Sequence, residues 1–209
     1  MIPALYAILS GDVFFGDPSD WARRLAEAGV QLIQYRDKLA SSSHLLAAAR
    51  RLAALASELH FRLIINDRAD ISVLAGAAGV HVGQDDLPVE SARRICGPGC
   101  WVGVSTHNLE QFRAAAATSA DYIAVGPIFP TATKQKPDPV VGVEFIRQVR
   151  PLTPKPIVAI GGITAERAAE VYAAGADSLA VAADLASAPD LLTRVTSYLR
   201  AVKRQREVR

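Results

Sequence analysis

The sequence predicts an α/β protein, a single-domain (β/α)8 TIM barrel built from parallel strands and helices. Short apolar runs alternate with alanine-rich amphipathic stretches from end to end of the 209 residues, and strict alternation is typical of parallel sheets. Eight such units favour a closed barrel. No linker rich in proline, glycine or serine interrupts them. We therefore expect one barrel domain over residues 1–202 and a charged tail over 203–209, as frayed helix or disordered terminus.

The candidate strands are short and almost wholly apolar, as expected of strands buried on both faces. In order they are Ala4–Leu9, Leu32–Tyr35, Leu63–Ile65, Val80–Val82, Val102–Val104, Tyr122–Val125, Ile157–Ile160 and Ser178–Val181. The clearest helical patterns are Ser41–Leu59, Leu109–Ala117, Ala165–Ala174 and Pro189–Val202. Helix starts are predicted at Pro18-Ser19-Asp20 and Ile163-Thr164. Gly29, Gly79 and Gly175 are predicted to end helices and lead the chain into the next strand.

An open doubly wound sheet is the alternative architecture for this alternation. It would be supported by a Gly-x-Gly-x-x-Gly sequence after the first strand. That position holds Ser10-Gly11-Asp12 instead, which favours the barrel.

Composition narrows the class of protein. Half of the residues are hydrophobic, enough for a large core, and the formal net charge of +2 gives no indication of nucleic-acid binding. Cys96 and Cys100 have no second Cys or His cluster to complete a zinc pattern, so reduced thiols are predicted. No cleavable leader is evident, and no apolar run approaches the roughly 20 residues that span a bilayer. We expect a soluble, cytoplasmic protein with no nucleic-acid or membrane partner.

The connection from Gly126 to Lys134 is unusually long. It follows the strand Tyr122–Val125, and the next amphipathic segment begins only near Val143, whereas βα connections usually take a few residues. Two hydroxyls and a lysine in a long loop at a strand's carboxyl end predict a binding loop for a phosphorylated ligand. An ordinary solvated loop is the alternative.

Polar residues gather where the second candidate strand ends, and in barrels catalysis takes place at the strands' carboxyl ends. The sequence there is Gln34-Tyr35-Arg36-Asp37-Lys38. Because side chains alternate along a strand, Gln34, Arg36 and Lys38 share one face, at the barrel mouth. Two cations there predict an anionic ligand. The alternative is an ion pair with Asp37 or with helix residues.

Carboxylates follow the next two strands, in Asn66-Asp67 and in Gly83-Gln84-Asp85-Asp86. Carboxylates at the ends of adjacent strands can share one hard cation, and Mg2+ prefers a few carboxylates together with waters and phosphate oxygens. Asp67 and Asp86 therefore predict a metal site facing the basic residues of the second strand. Helix N-capping is the alternative for Asp67.

Four residues in and near the fourth and fifth strands are open to different interpretations. Ser105 falls at a strand's end, where a hydroxyl can meet a ligand, and Thr106 or His107 could open the next helix. For His107 a surface or capping role is favoured over that of an acid or base. His81 lies inside a strand and is predicted to be a packed, hydrogen-bonded core residue.

A second anion site is predicted after the last two strands. Gly161-Gly162-Ile163-Thr164 leads into a helix, where glycines let the backbone approach an oxyanion and the helix N-terminus favours negative charge. Val181-Ala182-Ala183-Asp184 could complete the site with backbone amides, at the position where barrel enzymes often bind phosphate. The mouth would then hold a diphosphate on one side and a single phosphate on the other.

Together these segments resemble the thiamine-phosphate synthases, a family shared with the TenI-type thiazole tautomerases. The resemblance covers nearly the whole chain, with six segments in order at the strand ends. They are Gln34–Lys38, Ile65–Arg68, Gly79–Leu87, Gly103–His107, Gly126–Lys134 and Ala159–Ile163.

The resemblance implies a transferase that joins an aminopyrimidine methyl diphosphate to a thiazole phosphate, yielding thiamine monophosphate and pyrophosphate with Mg2+ as cofactor. The implied pyrimidine diphosphate ligands are Gln34, Tyr35, Arg36, Asp37, Lys38, Asn66, Ser105 and Lys134, of which Arg36, Lys38, Ser105 and Lys134 would be catalytic. The implied thiazole phosphate ligands are Thr131, Ala132, Thr133, Gly162, Ala182 and Ala183. Asp67 and Asp86 would bind the metal.

One position departs from the family pattern, and two other functions stay open. Synthases usually offer a serine in the turn after strand 8, where this chain has Ala183, which puts the affinity for thiazole phosphate in question. A tautomerase, with His107 as acid or base, and a non-catalytic phosphate-binding barrel are the alternatives. The complete basic motif, the carboxylates and the Thr-x-Thr-Lys loop favour the synthase. The sequence leaves open a homodimer and a carboxylated thiazole substrate.

Overall fold

Eight parallel strands close into a barrel in chain order, each paired with the next and the last with the first. The computed structural model describes residues 1–131 and 138–207, with the backbone alone for 204–207. The strands are β1 (Leu5–Ser10), β2 (Leu32–Arg36), β3 (Arg62–Asn66), β4 (Gly79–Val82), β5 (Trp101–Thr106), β6 (Tyr122–Val125), β7 (Ile157–Ile160) and β8 (Ser178–Val181). The predicted (β/α)8 barrel is confirmed.

Helices cover the outside of the barrel. In the described residues they are α1 (Pro18–Glu27), α2 (Ser42–Leu59), α3 (Ala69–Ala75), α4 (Val89–Cys96), α5 (Leu109–Ala116), α6 (Gly142–Val149), α7 (Ala168–Ala173), α8 (Ala183–Ala186) and α9 (Leu191–Glu207), with 3-10 turns at Arg150–Leu152 and Ala165–Arg167. The last helix extends beyond the predicted boundary at Val202, which agrees with the helical alternative for the charged tail. Helical backbone continues to Glu207, through most of the segment expected to form a charged tail.

Side-chain alternation along the strands builds two apolar layers. Inward-facing side chains such as Tyr6, Ile64 and Tyr122 fill the barrel, and outward-facing ones such as Ile33 and Ile65 pack under the helices. Residues that continue the inward phase past the last apolar position therefore point into the barrel mouth. This phase positions the candidate site.

Gly79 has a different role from the one predicted. It begins β4, and the C-cap of α3 is Gly76, with φ at 70°. A Cβ on Gly79 would lie 2.5 Å from the backbone oxygen of Trp101 and 2.7 Å from Cδ1 of Ile64. Close strand packing, not a helix end, thus requires this glycine, whereas Gly29 and Gly175 do follow helices with φ of 103° and 111°.

Gly79→Ala is expected to lower the free energy of unfolding by about 1–3 kcal/mol, the range for overpacked interiors. Urea denaturation measures the change. Gly99→Ala is the matched control, because nothing lies within 4 Å of a Cβ at that position, and it should change stability by less than about 0.5 kcal/mol. Equal stability of the two variants would contradict the tight packing of β4 on its neighbours.

Two expectations from composition can be compared with the structure. Cys96 and Cys100 are both free thiols, as predicted. Among the described residues, no helix combines the length and apolarity that crossing a membrane requires.

Candidate active site

A cavity of about 200 Å³ opens at the carboxyl end of the barrel. It brings together residues from both predicted anion sites. The predicted site residues that line it are Gln34, Arg36, Asn66, Ser105, Thr131, Gly162, Ala182 and Ala183. Asn66 and Gly162 come from opposite sides of the barrel, because β3 and β7 lie four strands apart in the closed ring of eight, whereas β8 lies two strands from β2.

Several other predicted residues do not line the cavity or cannot be placed. Tyr35 packs in the outer apolar layer, where burial raises its pKa to about 12. Asp37 accepts hydrogen bonds from the backbone N–H groups of Leu39 and Ala40 at 3.1 and 3.0 Å, holding the turn into α2. Neither is brought to the cavity wall, and Lys38, Asp67 and Asp86 do not line the cavity either. Ala132, Thr133 and Lys134 lie outside the described residues.

The two cations of the β2 motif are already paired with carboxylates. The Arg36 Nη1 group donates to Oγ of Ser10 at 2.9 Å and to Oδ2 of Asp12 at 2.8 Å. The Lys38 Nζ atom lies 3.2 Å from Oδ2 of Asp67. The alternative of a pair with Asp37 does not form, and the guanidinium of Arg36 is held by β1 at the edge of the cavity.

Asp67 and Asp86 form a like-charged pair. Burial and then the adjacent Asp86 raise the pKa of Asp67, and Lys38 lowers it in part. Asp67 has a left-handed backbone with φ at 62°, a conformation that costs a non-glycine residue about 1–2 kcal/mol. Its backbone N–H donates to the His81 carbonyl oxygen at 2.7 Å. A carboxylate held on a strained backbone against a second carboxylate is an arrangement typical of functional sites.

The carboxylate pair has a donor set that fits a divalent cation. Oδ2 of Asp86 accepts from the Gly83 backbone N–H at 2.8 Å, and neither carboxylate is the N-cap of α3 or α4, so the capping alternative is wrong. Among the described residues no group of three or more His, Cys, Asp or Glu side chains could hold a metal. Two carboxylates therefore need waters or ligand oxygens to complete a hard-cation site, which is the usual arrangement for Mg2+.

A line of buried polar side chains lies beneath the mouth. Nε2 of Gln34 donates to Oη of Tyr6 at 2.8 Å. The same Tyr6 oxygen lies 3.0 Å from Oη of Tyr122. Oη of Tyr122 lies 3.1 Å from Nδ1 of His81, whose Nε2 lies 2.8 Å from Oγ of Ser105. Burial lowers the pKa of His81 to about 4, so the ring is neutral at ordinary pH. The prediction of His81 as a hydrogen-bonded core residue is confirmed, and its ring also reaches the cavity.

Glycines after β7 admit the loop that follows β6. The backbone N–H groups of Ile128 and Phe129 donate to the carbonyl oxygens of Ile160 and Gly161 at 2.9 and 3.0 Å. A Cβ on Gly161 or Gly162 would overlap this loop. From the sequence, these glycines were predicted only to let the backbone approach an oxyanion. The structure adds that they let two loops lie in direct contact at the cavity edge.

His107 reaches the cavity and does not cap a helix. Asn108 is the N-cap of α5, and its side chain accepts from the Gln111 backbone N–H. Nδ1 of His107 lies 2.6 Å from the Gly126 carbonyl oxygen, and its Nε2 lies 3.5 Å from Oδ2 of Asp138. The expected surface or capping role is therefore wrong, since both ring nitrogens have partners at the cavity wall.

Asp184 is a lining residue that the sequence analysis did not select. Its Oδ2 accepts from the Tyr198 hydroxyl at 2.7 Å and from the Ala165 backbone N–H at 3.3 Å, and its Oδ1 lies 3.5 Å from Nη1 of Arg194. These partners fix the carboxylate beside the predicted phosphate site, and the positive charge of Arg194 offsets its negative charge. Tyr198 and Arg194 lie on α9, too far along the sequence for local patterns to reveal the contact.

Residues 5–185 match a family model described as thiamine monophosphate synthase. The chain belongs to the thiamine monophosphate synthase family. A thiamine-phosphate synthase of Koribacter versatilis is 52% identical over 190 residues, 88% of this chain and 89% of the relative. Another, from Shouchella clausii, is 40% identical over 200 residues, 95% and 96% of the two chains.

A solved structure described as a thiamine phosphate pyrophosphorylase from Pyrococcus furiosus has the same fold. It superimposes with a TM-score of 0.86 at 30% sequence identity, covering 96% of each chain. As a member of the thiamine monophosphate synthase family, the chain is a transferase of thiamine biosynthesis. This membership confirms the family resemblance carried by the strand-end motifs.

Proposed function

We propose that the cavity joins an aminopyrimidine methyl diphosphate to a thiazole phosphate, giving thiamine monophosphate and pyrophosphate with the help of Mg2+. One observation carries the proposal. Arg36, Lys38 and the Asp67–Asp86 pair extend from β2, β3 and β4, and Gly162, Ala182 and Ala183 lie across the barrel beyond β7 and β8. Two anions bound on the two sides would bring their heterocycles together between them.

The chemistry requires stabilisation of a leaving group and no activated protein nucleophile. The bond between the pyrimidine methylene carbon and the diphosphate oxygen breaks, and both electrons leave with the diphosphate. The thiazole nitrogen then gives its lone pair to the methylene carbon, and pyrophosphate departs. Cationic groups aimed at the developing charge supply electrostatic catalysis. Arg36 and Lys38 take this role in the described residues, and Lys134, predicted to join them, lies outside.

The carboxylate pair is the proposed holder of the metal. Asp67 and Asp86 would hold Mg2+, and such an ion would supply positive charge to stabilise the diphosphate leaving group. Lys38, 3.2 Å from Asp67, would add a second positive charge next to the metal ligands. Gln34, Asn66 and Ser105, which line the cavity, would hold the pyrimidine and orient its methylene group.

On the opposite side, Thr131, Gly162 and the start of α8 would bind the thiazole phosphate. Ala183 is exposed at the cavity and offers a backbone N–H without a side-chain donor. Ala183→Ser is expected to lower KM for the thiazole phosphate about fivefold with kcat nearly unchanged, since a hydrogen bond contributes about 1 kcal/mol net. Initial rates at saturating pyrimidine diphosphate measure both constants.

Ala188→Ser is the matched control for this prediction, because Ala188 follows α8 and does not line the cavity. It should leave KM unchanged. If Ala183→Ser folds normally and its KM is unaltered, the start of α8 does not contact the thiazole phosphate.

The proposed reaction is tested by mixing the pure protein with both phosphorylated substrates and Mg2+. Thiamine monophosphate and pyrophosphate should appear in equal amounts. Proton exchange on the thiazole without either product would instead establish the tautomerase. Binding of both ligands without turnover would establish a phosphate-binding barrel. The homodimer, the cytoplasmic location and the absence of nucleic-acid and membrane partners stay predictions from the sequence.

A further inference from the structure

The buried polar line beneath the cavity is continuous, and all of its members except Tyr122 line the cavity. We call Gln34, Tyr6, Tyr122, His81 and Ser105 the relay. Its members come from β2, β1, β6, β4 and β5, and successive polar atoms lie 2.8 to 3.1 Å apart. Gln34 and Ser105, the two ends, line the cavity and belong to the proposed pyrimidine site. Tyr122 is deeply buried and does not reach the cavity wall.

With the Gln34 amide donating to Tyr6, proton counting sets the direction of every other hydrogen bond in the relay. The Gln34 amide donates to Tyr6, so the one hydroxyl proton of Tyr6 points to Tyr122. The Tyr122 proton in turn points to Nδ1 of His81. Because the lone pair of Nδ1 accepts the Tyr122 proton, the imidazole proton lies on Nε2 and is donated to Oγ of Ser105. The Ser105 proton is then left for the cavity, and Gln34 keeps its carbonyl oxygen as an acceptor.

Reversal of the relay would exchange the two ends together. If the Gln34 amide turned over, every proton would have to shift in the opposite sense, Ser105 would become an acceptor towards the cavity and Gln34 a donor. In either direction one end donates and the other accepts, because buried polar groups without partners cost about 1–3 kcal/mol each. The relay therefore couples the hydrogen-bonding character of two cavity residues that do not touch.

A glycine on the neighbouring strand leaves space for the central tyrosine of the relay. Gly103 is the register partner of Tyr122 on the neighbouring strand, and a Cβ at that position would overlap the ring and hydroxyl of Tyr122. The His81 and Tyr122 rings stack with centroids 5.5 Å apart, and the rings of Tyr6 and Tyr122 meet edge to face at 6.0 Å. Packing thus fixes the three central groups in hydrogen-bonding order.

We infer that Tyr6, Tyr122 and His81 are positioning residues that hold Gln34 as an acceptor and Ser105 as a donor, and so select an amino-substituted pyrimidine over its oxo counterpart. The inference rests on the proposed function. An exocyclic amino group donates to Gln34, and a ring nitrogen accepts from Ser105. An oxo group at the same carbon places an acceptor against the Gln34 carbonyl oxygen, and the clash is relieved only if all the relay protons reverse.

The tautomer of His81 reports the direction of the relay. Protein labelled with 15N-histidine, with the His81 signals identified by their loss in His81→Asn, should show the proton on Nε2, both alone and with the aminopyrimidine diphosphate bound. A proton on Nδ1 in the complex would overturn the inference. This measurement needs no turnover and no variant that perturbs the relay in the protein being observed.

The second test compares kcat/KM for the amino and oxo pyrimidine diphosphates. The wild type should prefer the amino substrate by about 10²-fold or more, as sites built to hydrogen-bond a substrate group do. Tyr122→Phe uncouples the two ends and should lower that preference at least about tenfold. Tyr172→Phe is the matched control, since this buried tyrosine donates to the Ala4 carbonyl oxygen away from the cavity, and its preference should equal that of the wild type.

Retention of the amino preference within about threefold in folded Tyr122→Phe would overturn the inference. If Tyr122→Phe does not fold, Tyr6→Phe breaks the relay at the next link and is judged by the same criterion. Failure of the proposed function is distinguishable, because it would show as no thiamine monophosphate from the wild type. Competitive binding of the two pyrimidine diphosphates would then still measure the preference.

Discussion

Arg36→Ala should lower kcat about 10²- to 10³-fold, the usual loss when one preorganised donor to a developing negative charge is removed. The side chain is only 16% exposed and is fixed by Ser10 and Asp12 at the cavity edge. Its charge is therefore in place before the diphosphate departs. KM should change much less than kcat, because the interaction strengthens as the bond breaks. Steady-state kinetics with both substrates measures the split.

One further variant separates charge from geometry at this position, and a second serves as the control. Arg36→Lys keeps the charge and loses the planar fork of donors, so its kcat should fall between those of Arg36→Ala and the wild type. Arg68→Ala is the control, since Arg68 pairs with Asp70 at 2.6 Å outside the cavity and should leave kcat unchanged. Equal kcat for Arg36→Ala and the wild type would show that Arg36 does not act on the leaving group.

Asp67→Asn should also lower kcat by about 10²- to 10³-fold and raise the Mg2+ concentration required for half-maximal rate. The amide keeps the size of the side chain and tolerates the left-handed backbone at this position, so the change removes mainly one negative charge. Rates measured over a range of Mg2+ concentrations test the prediction. A Mg2+ dependence identical to that of the wild type would contradict the assignment of Asp67 as a ligand.

The same substitution should stabilise the metal-free protein. Burial and Asp86 raise the pKa of Asp67, so the folded state favours the protonated form. The resulting stability is present at pH below the ordinary carboxyl pKa and is lost as the pH rises through the raised value. At pH 7, in the presence of a chelator, Asp67→Asn should therefore have a higher Tm than the wild type. Added Mg2+ with pyrophosphate should raise the Tm of the variant less than it raises the Tm of the wild type.

Asp70→Asn is the matched control for both effects. Asp70 is exposed, pairs with Arg68 and has a lowered pKa because of that partner. It should leave the Mg2+ dependence unaltered and should not raise Tm. A lower Tm for metal-free Asp67→Asn than for the wild type would mean that its pairing with Lys38 outweighs its repulsion from Asp86.

Strand ends were the predictable part of the site because polar residues interrupt apolar runs there. Gln34, Asn66 and Ser105 each follow such a run on the inward phase, and the barrel topology alone brings them to one mouth. Tyr35 shows the limit of a contiguous motif, since the alternation that aims Gln34 and Arg36 inwards turns the residue between them outwards.

The relay and Asp184 could not be predicted because their partners are distant in sequence. Tyr6 lies within an apolar run that gives no sign of a polar role, and its contact with Tyr122 joins residues 116 positions apart. Asp184 is neutralised by residues of α9. The sequence analysis correctly placed the glycines after β7 at the cavity edge. Their packing against the loop after β6 could not be predicted, because it depends on the strand register in the closed barrel.

A crystal structure of the protein with thiamine monophosphate, pyrophosphate and Mg2+ tests the central claim most directly. We predict pyrophosphate and metal between Arg36 and the Asp67–Asp86 pair, the pyrimidine amino group at Gln34, and the thiazole phosphate across the mouth at Gly162 and Ala183. Pyrophosphate bound on the β7–β8 side, or a metal that contacts neither Asp67 nor Asp86, would contradict the two-sided arrangement.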